Sequence, residues 1–193
     1  MHAEGASMVP TISSTSYPDA PVASQIDGVV VRELTRHGDL RGGFTETYRT
    51  EWFDGPPMLQ GNRSDSAAGT IRGLHFHKHQ ADYWLCLKGR ILVCLHDLRA
   101  ASPTYGTTQG IVLTGDTRAG IYIPPGVLHG FGALEDSTLT YLVDRYYDAS
   151  DEFGVRFDDP RVNFTWPIED PILSDRDRDC PTIDELDATD LPA

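Results

Sequence analysis

The chain reads as an all-β protein, an antiparallel sandwich or jelly roll, on three observations. From Thr70 onward, short apolar runs follow one another with turn residues between them. No strand–helix–strand alternation, the pattern that builds parallel sheets, interrupts them. Within the stretch Arg72 to Trp84, three histidines and a carboxylate sit among apolar residues. Polar groups on the inner face of a barrel mark a ligand cavity. The 193 residues suit one domain, large enough to bury a sizeable core.

Taken in order, residues 1–25 are rich in Ser, Ala, Pro and Thr without periodicity, and are expected to form a flexible tail. The jelly roll is expected over 26–187 and a short C-terminal tail over 188–193. Ile26 to Leu34 carries Val29-Val30-Val31, a buried-strand run; His37-Gly38-Asp39 reads as a turn. Phe44 to Phe53 alternates as a half-buried strand does, and loops follow around Gly55-Pro56-Pro57 and Ser64 to Gly69. Strands are predicted at 71–77, 83–88, 91–98, 109–114, 120–123, 131–134 and 138–146. The breaks between them include Lys88-Gly89, Ser102-Pro103, Gly115-Asp116 and Pro124-Pro125-Gly126. One short helix is expected near Ile183 to Leu186, with a polar loop over Ser174 to Asp179.

Composition narrows the partners. Against 16 basic residues stand 29 acidic ones, a formal net charge of -13, a field that repels nucleic acid and anionic membranes. No apolar run approaches the ~18 residues of a membrane span. Neither nucleic acid nor membrane is therefore an expected partner. Cys86, Cys94 and Cys180 make no metal motif, and the first two read as small buried hydrophobes. The N-terminus lacks a basic segment leading into an apolar one, so no secretory signal is expected and the cytoplasm is the expected location.

Two segments carry the chemistry. On a strand His75 and His77 point the same way, and Phe76 the other way into a packed layer. In Ile123 to Phe131, a rigid Pro-Gly turn feeds a strand that brings in His129. Gly69, His75, His77, Asp82 and Gly89, followed by Pro-x-Gly-x-x-His, resemble the two halves of a cupin barrel motif.

A closer resemblance covers roughly residues 35 to 180. Arg72-Gly73-Leu74-His75-Phe76, Asp97-Leu98-Arg99, Ser102 to Gly106, Ile123 to Phe131, Tyr146-Tyr147, Asp159-Pro160, Trp166-Pro167 and Leu173 to Asp177 come in an order similar to the dTDP-4-dehydrorhamnose 3,5-epimerase family. The resemblance implies a cupin-type jelly roll and a homodimer. It also implies a cofactor-free epimerase of dTDP-4-keto-6-deoxyhexoses, inverting C3, C5 or both. By the same resemblance His75 is the base, Asp177 orients it, and Tyr141 is the acid on the opposite face. Arg72 and His129 face the sugar. Arg41, Phe44 and Glu46 match a nucleotide-contacting arm, and Gln60, Asn62 and Tyr147 match further substrate contacts.

This sequence departs from the family at one position. Where the family has a lysine after Gln-Ala or Gln-Gly, Asp82 follows Gln80-Ala81, so the sign of the charge is reversed. Two alternatives stay open beside the epimerase, which itself needs no metal. One is a metal-dependent cupin enzyme using His75, His77, Asp82 and His129. The other is a non-catalytic nucleotide-sugar binding protein. On residue type alone, Asp82 suits a pairing with Arg90, Tyr141 suits packing, and Asp177 suits a solvated loop. Trp84 reads as a core or interface aromatic.

Overall fold

The computed structural model of the protein describes residues 10–193. Its strands, in chain order, are β1 Thr11–Ile12, β2 Val30–Glu33, β3 Arg36–Asp39, β4 Gly42–Thr45, β5 Gln60–Ser66, β6 Ile71–Phe76 and β7 Asp82–Lys88. There follow β8 Arg90–Asp97, β9 Thr108–Thr114, β10 Ala119–Ile123, β11 Val127–Ala133, β12 Ser137–Val143, β13 Phe153–Gly154 and β14 Ile168–Glu169. The one α-helix among the described residues, α1, spans Asp175–Arg178. Two five-stranded antiparallel sheets, ordered β2-β10-β7-β12-β5 and β13-β6-β11-β8-β9, face each other as a jelly roll of the expected cupin type.

Side-chain alternation sorts the core into layers. Trp84 and Cys86 of β7 point between the sheets, where they meet Val93, Leu95, Ile111 and Leu113. Tyr83 and Leu85 point outward, under Tyr48, Trp52, Phe53 and Met58. Leu74, Phe76 and Leu128 leave the second sheet on its outer side, where Val155, Val162 and Ile183 of the C-terminal segment cover them. Phe76 is fully buried and stacks on Phe153.

Several local expectations need correction. Residues 1–9 of the expected tail lie outside the described residues. Residues 10–25 are laid against the barrel: β1 pairs with β14, Tyr17 stacks on Phe164, and Ala20 is buried. At the other end Lys78 Nζ donates to the Thr189 carbonyl at 2.8 Å and Pro192 is buried, so 188–193 is packed too. Residues 36–39 form a strand of an exposed hairpin with β4, whose turn lies at Leu40-Arg41. Of the strand expected at 44–53 only Phe44 and Thr45 lie in a strand, β4 of that hairpin, and Thr50–Trp52 is a 3-10 turn. Strand β5 replaces the loop expected from Ser64; it is polar because it is an edge strand paired only with β12. The Ser174 to Asp179 loop contains α1, with the Ser174 hydroxyl accepting from the Asp177 N–H at 3.0 Å. A 3-10 turn at Ile183–Glu185 stands where a helix was expected.

Candidate active site

A cavity of about 300 Å³ opens between the sheets, lined from β6, β7, β11 and β12 and closed by Glu152, Ser174, Arg176 and Asp177. One glycine, Gly73, shapes its β6 wall. Arg72 and His75 are three residues apart and would face opposite ways on a regular strand, yet both line the cavity. A register shift against β11 reverses the alternation between them. Gly73 sits there at φ +108°, and a Cβ would come within 2.9 Å of the His129 carbonyl oxygen and 2.8 Å of Gly130 Cα. A side chain would force the two strands apart.

His75 is held at Nε2 by Asp177 Oδ1, 2.7 Å away. Nδ1 is therefore the ring nitrogen not engaged by the carboxylate. Burial alone would raise the Asp177 pKa, but the hydrogen bond and charge of His75 outweigh it and hold the carboxyl below its usual value. Tyr141 enters from the other sheet, opposite Trp84 in the β7–β12 register. Burial, then the charges of Asp82 and Glu152, push its pKa up, so the phenol keeps its proton at neutral pH. Arg72 donates Nε to Ser66 Oγ at 2.9 Å and one Nη2 hydrogen to the Asp65 carbonyl at 3.1 Å, leaving its remaining N–H groups for a ligand.

Deeper in, His77, Asp82 and His129 are all buried. Their potential ligand atoms lie within 4.8 Å of one another. Burial drives the His129 pKa down to about 4, against the opposing charge of Asp82. The expected four-residue metal set loses a member: His75 is committed to Asp177 and stands outside this cluster. Asp82 makes no pair with Arg90, whose guanidinium binds Asp19 at 3.0 Å. Neither nearby lysine enters the cavity. Lys78 runs over the Phe153 ring, and Lys88 lies on a separate surface groove beside Asp65 and Asp136.

The structure thus gathers Arg72, His75, His129, Tyr141 and Asp177 in one cavity. Ser64 lines it as well, and by alternation Asn62 and Gln60 share its face further along β5, bonded to each other at 2.9 Å. Tyr147 is exposed beyond the end of β12. Arg41 and Phe44 line a different groove on the exposed hairpin, Arg41 paired with Asp39, while Glu46 is tied to Arg49. Sequence reasoning missed the pocket roles of Trp84, Glu152 and Arg176. Trp84 was findable, because it lies two residues from Asp82 on one strand and so shares its face. Glu152 and Arg176, joined at 3.2 Å, lie in irregular segments that carry no periodic signal.

A jelly roll whose cavity sets a histidine–carboxylate pair against a tyrosine from the facing sheet has the parts of an isomerase that works by proton transfer. The chain belongs to the dTDP-4-dehydrorhamnose 3,5-epimerase family, which matches residues 23–185, and is by family an isomerase. It is 38% identical over 177 residues to a dTDP-4-dehydrorhamnose 3-epimerase of Streptomyces niveus, covering 86% of each chain. The crystal structure of a 4-keto-6-deoxy sugar epimerase from the novobiocin cluster of Streptomyces spheroides is similar, with a TM-score of 0.83 and 34% identity over 97% of both chains. A 3'-monoepimerase of Streptomyces bikiniensis, in complex with dTDP-quinovose, gives 0.81 and 32%, covering 88% of this chain and 91% of that one.

Proposed function

We propose that the protein epimerises a dTDP-4-keto-6-deoxyhexose at a carbon beside the ketone, with no organic cofactor. The observation that carries this reading is the His75–Asp177 pair at 2.7 Å in a cavity that Tyr141 enters from the facing sheet. His75 Nδ1 takes the proton on C3 or C5, and the C–H electron pair becomes the enolate double bond. Asp177 holds the ring in one tautomer and offsets the charge that the imidazolium gains. Tyr141 returns a proton to the opposite face, which inverts the carbon. Arg72, with N–H groups to spare, faces the oxyanion that develops at C4. His129 borders the sugar from β11.

The substrate class follows the names of the relatives, among them the monoepimerase with bound dTDP-quinovose. Arg41, Phe44 and Glu46 lie on an exposed hairpin outside this cavity, with Leu40 fully exposed at its tip. We assign them, with Gln60, Asn62 and Tyr147, to the nucleotide end of the substrate, delivered across a homodimer. Three free cysteines suit a cytoplasmic enzyme. Incubation with the dTDP-4-keto sugar in deuterated water tests the reading. Deuterium at C3 or C5, with inversion, is the expected result; no deuterium at either carbon overturns it.

A further inference from the structure

His77 follows the last residue of β6, Asp82 opens β7, and His129 lies in β11, with relative exposures of 6, 3 and 5%. Each histidine gives Nδ1 to a backbone carbonyl: His77 to Asp151 at 2.8 Å, and His129 to Val127 at 2.9 Å. A carbonyl only accepts, so both hydrogens sit on Nδ1, and in a neutral ring Nε2 is then a bare acceptor. The two Nε2 atoms face Asp82: His77 stands 4.0 Å from Oδ1, His129 3.9 Å from Oδ2. Asp82 itself is steadied by the Gln80 amide at 2.9 Å and the Trp84 indole N–H at 3.0 Å.

Three acceptors therefore converge in a buried place, with no protein donor between them among the described residues. A proton shared between histidine and carboxylate would draw the pair to about 2.8 Å. Separations near 4 Å are too long for that bond and leave room for an ion. We propose that His77, Asp82 and His129 bind one divalent first-row transition-metal ion through two imidazole nitrogens and a carboxylate.

Ligand distances of about 2.0–2.2 Å place neighbouring donor atoms roughly 3–3.5 Å apart, so from separations within 4.8 Å each side chain moves in by about an ångström or less on binding. The carbonyls behind both imidazoles, and Gln80 and Trp84 behind the carboxylate, supply the outer hydrogen bonds that orient such ligands. Two nitrogens and one oxygen suit Fe, Co, Ni or Zn, and not calcium or magnesium, which take oxygen. The ligands occupy one side of the ion, and its other positions open on the cavity shared with His75 and Tyr141. The ion's positive charge would then stand beside an enolate formed there; that clause rests on the epimerase reading, and the binding itself does not.

The test uses the whole chain, stripped with a chelator and titrated with Co2+ and Zn2+ by calorimetry, with Co2+ absorption recorded. The expected result is one equivalent per chain, bound at least 10-fold more weakly by Asp82→Asn and by His129→Gln. His79→Ala, at an exposed histidine, keeps the wild-type affinity. No stoichiometric binding by the stripped wild-type protein overturns the proposal. So does undiminished binding by Asp82→Asn, or loss of binding by His79→Ala. Where a variant fails to fold, the wild-type Co2+ spectrum decides: bands of nitrogen and oxygen ligation support the site, and the spectrum of the hexa-aquo ion sinks it. Metal binding without deuterium exchange would retire the epimerase and leave the metal site standing; exchange by a protein that binds no metal does the reverse.

Discussion

Asp177 and Asp82 are both buried carboxylates facing histidines two residues apart, yet one touches its partner and the other does not. Asp177 meets His75 at 2.7 Å, while Asp82 stops 4.0 Å short of His77. The difference lies in how each is delivered. Asp177 rides on α1, a single turn in the covering segment, which can settle against β6 until a hydrogen bond forms. Asp82 begins a central strand whose place is fixed by pairing with β10 and β12, so the barrel sets its distance. A side chain on the cover completes a pair, and one on the wall preserves a gap. The same cavity thus contains a matched donor and acceptor for moving a proton beside a set of unmatched acceptors.

The largest effect that would break this comparison is expected at His75. His75→Asn should cut solvent deuterium incorporation beside the ketone by about 10³-fold, read by NMR. A loss under tenfold would move the base elsewhere. Tyr141→Phe should slow net inversion by roughly 10²-fold while leaving wash-in of deuterium from the His75 face, because only the returning proton is lost. Comparing product configuration with isotope content separates the two steps.

Asp177→Asn tests the cover directly, with a rate loss of about tenfold or more as His75 loses its orienting partner. It also carries a pH signature. Since the folded-state pKa of Asp177 lies below its ordinary 3.8, the folded chain binds fewer protons there than the unfolded chain. That stabilisation is complete above 3.8 and is lost as pH falls through the lower folded value. Urea midpoints at pH 7 and pH 3 should therefore differ more in the wild type than in the variant, whose acid sensitivity is smaller. The least effect belongs to the wall. Trp84→Phe removes one N–H from Asp82 Oδ2 and should cost roughly 1–3 kcal/mol in urea unfolding, with the barrel intact.

The same contrast explains what could be read from the sequence. Wall strands such as Asp82–Lys88 announce themselves as continuous apolar runs, because one face meets the core and the other the covering segments. His75 and His129 were legible through their turns and spacing. Asp177 was legible only by family resemblance, because Ser174 to Asp179 looks like any solvated run of charges until α1 docks on β6. Strand β5 was missed for a related reason: Gln60 to Ser66 holds its place by backbone pairing with β12, and its polar side chains leave no apolar pattern. The alternation from Phe44 to Phe53 misled in the opposite sense, since a two-residue rhythm on an exposed hairpin reflects no buried face. The departure of Arg72 and His75 from simple alternation was invisible, because it depends on the register shift at Gly73.

The segment before the barrel gives the molecule a timetable. Ser13 lies against Pro167, 154 residues later, and Thr11–Ile12 adds a short strand to β14. Residues 11–13 thus find their places only after residues 167–169 have been made, long after their own synthesis. Pairing of β1 with β14 is a late event of folding, and a chain cut short before Ile168 would leave β1 without its partner strand.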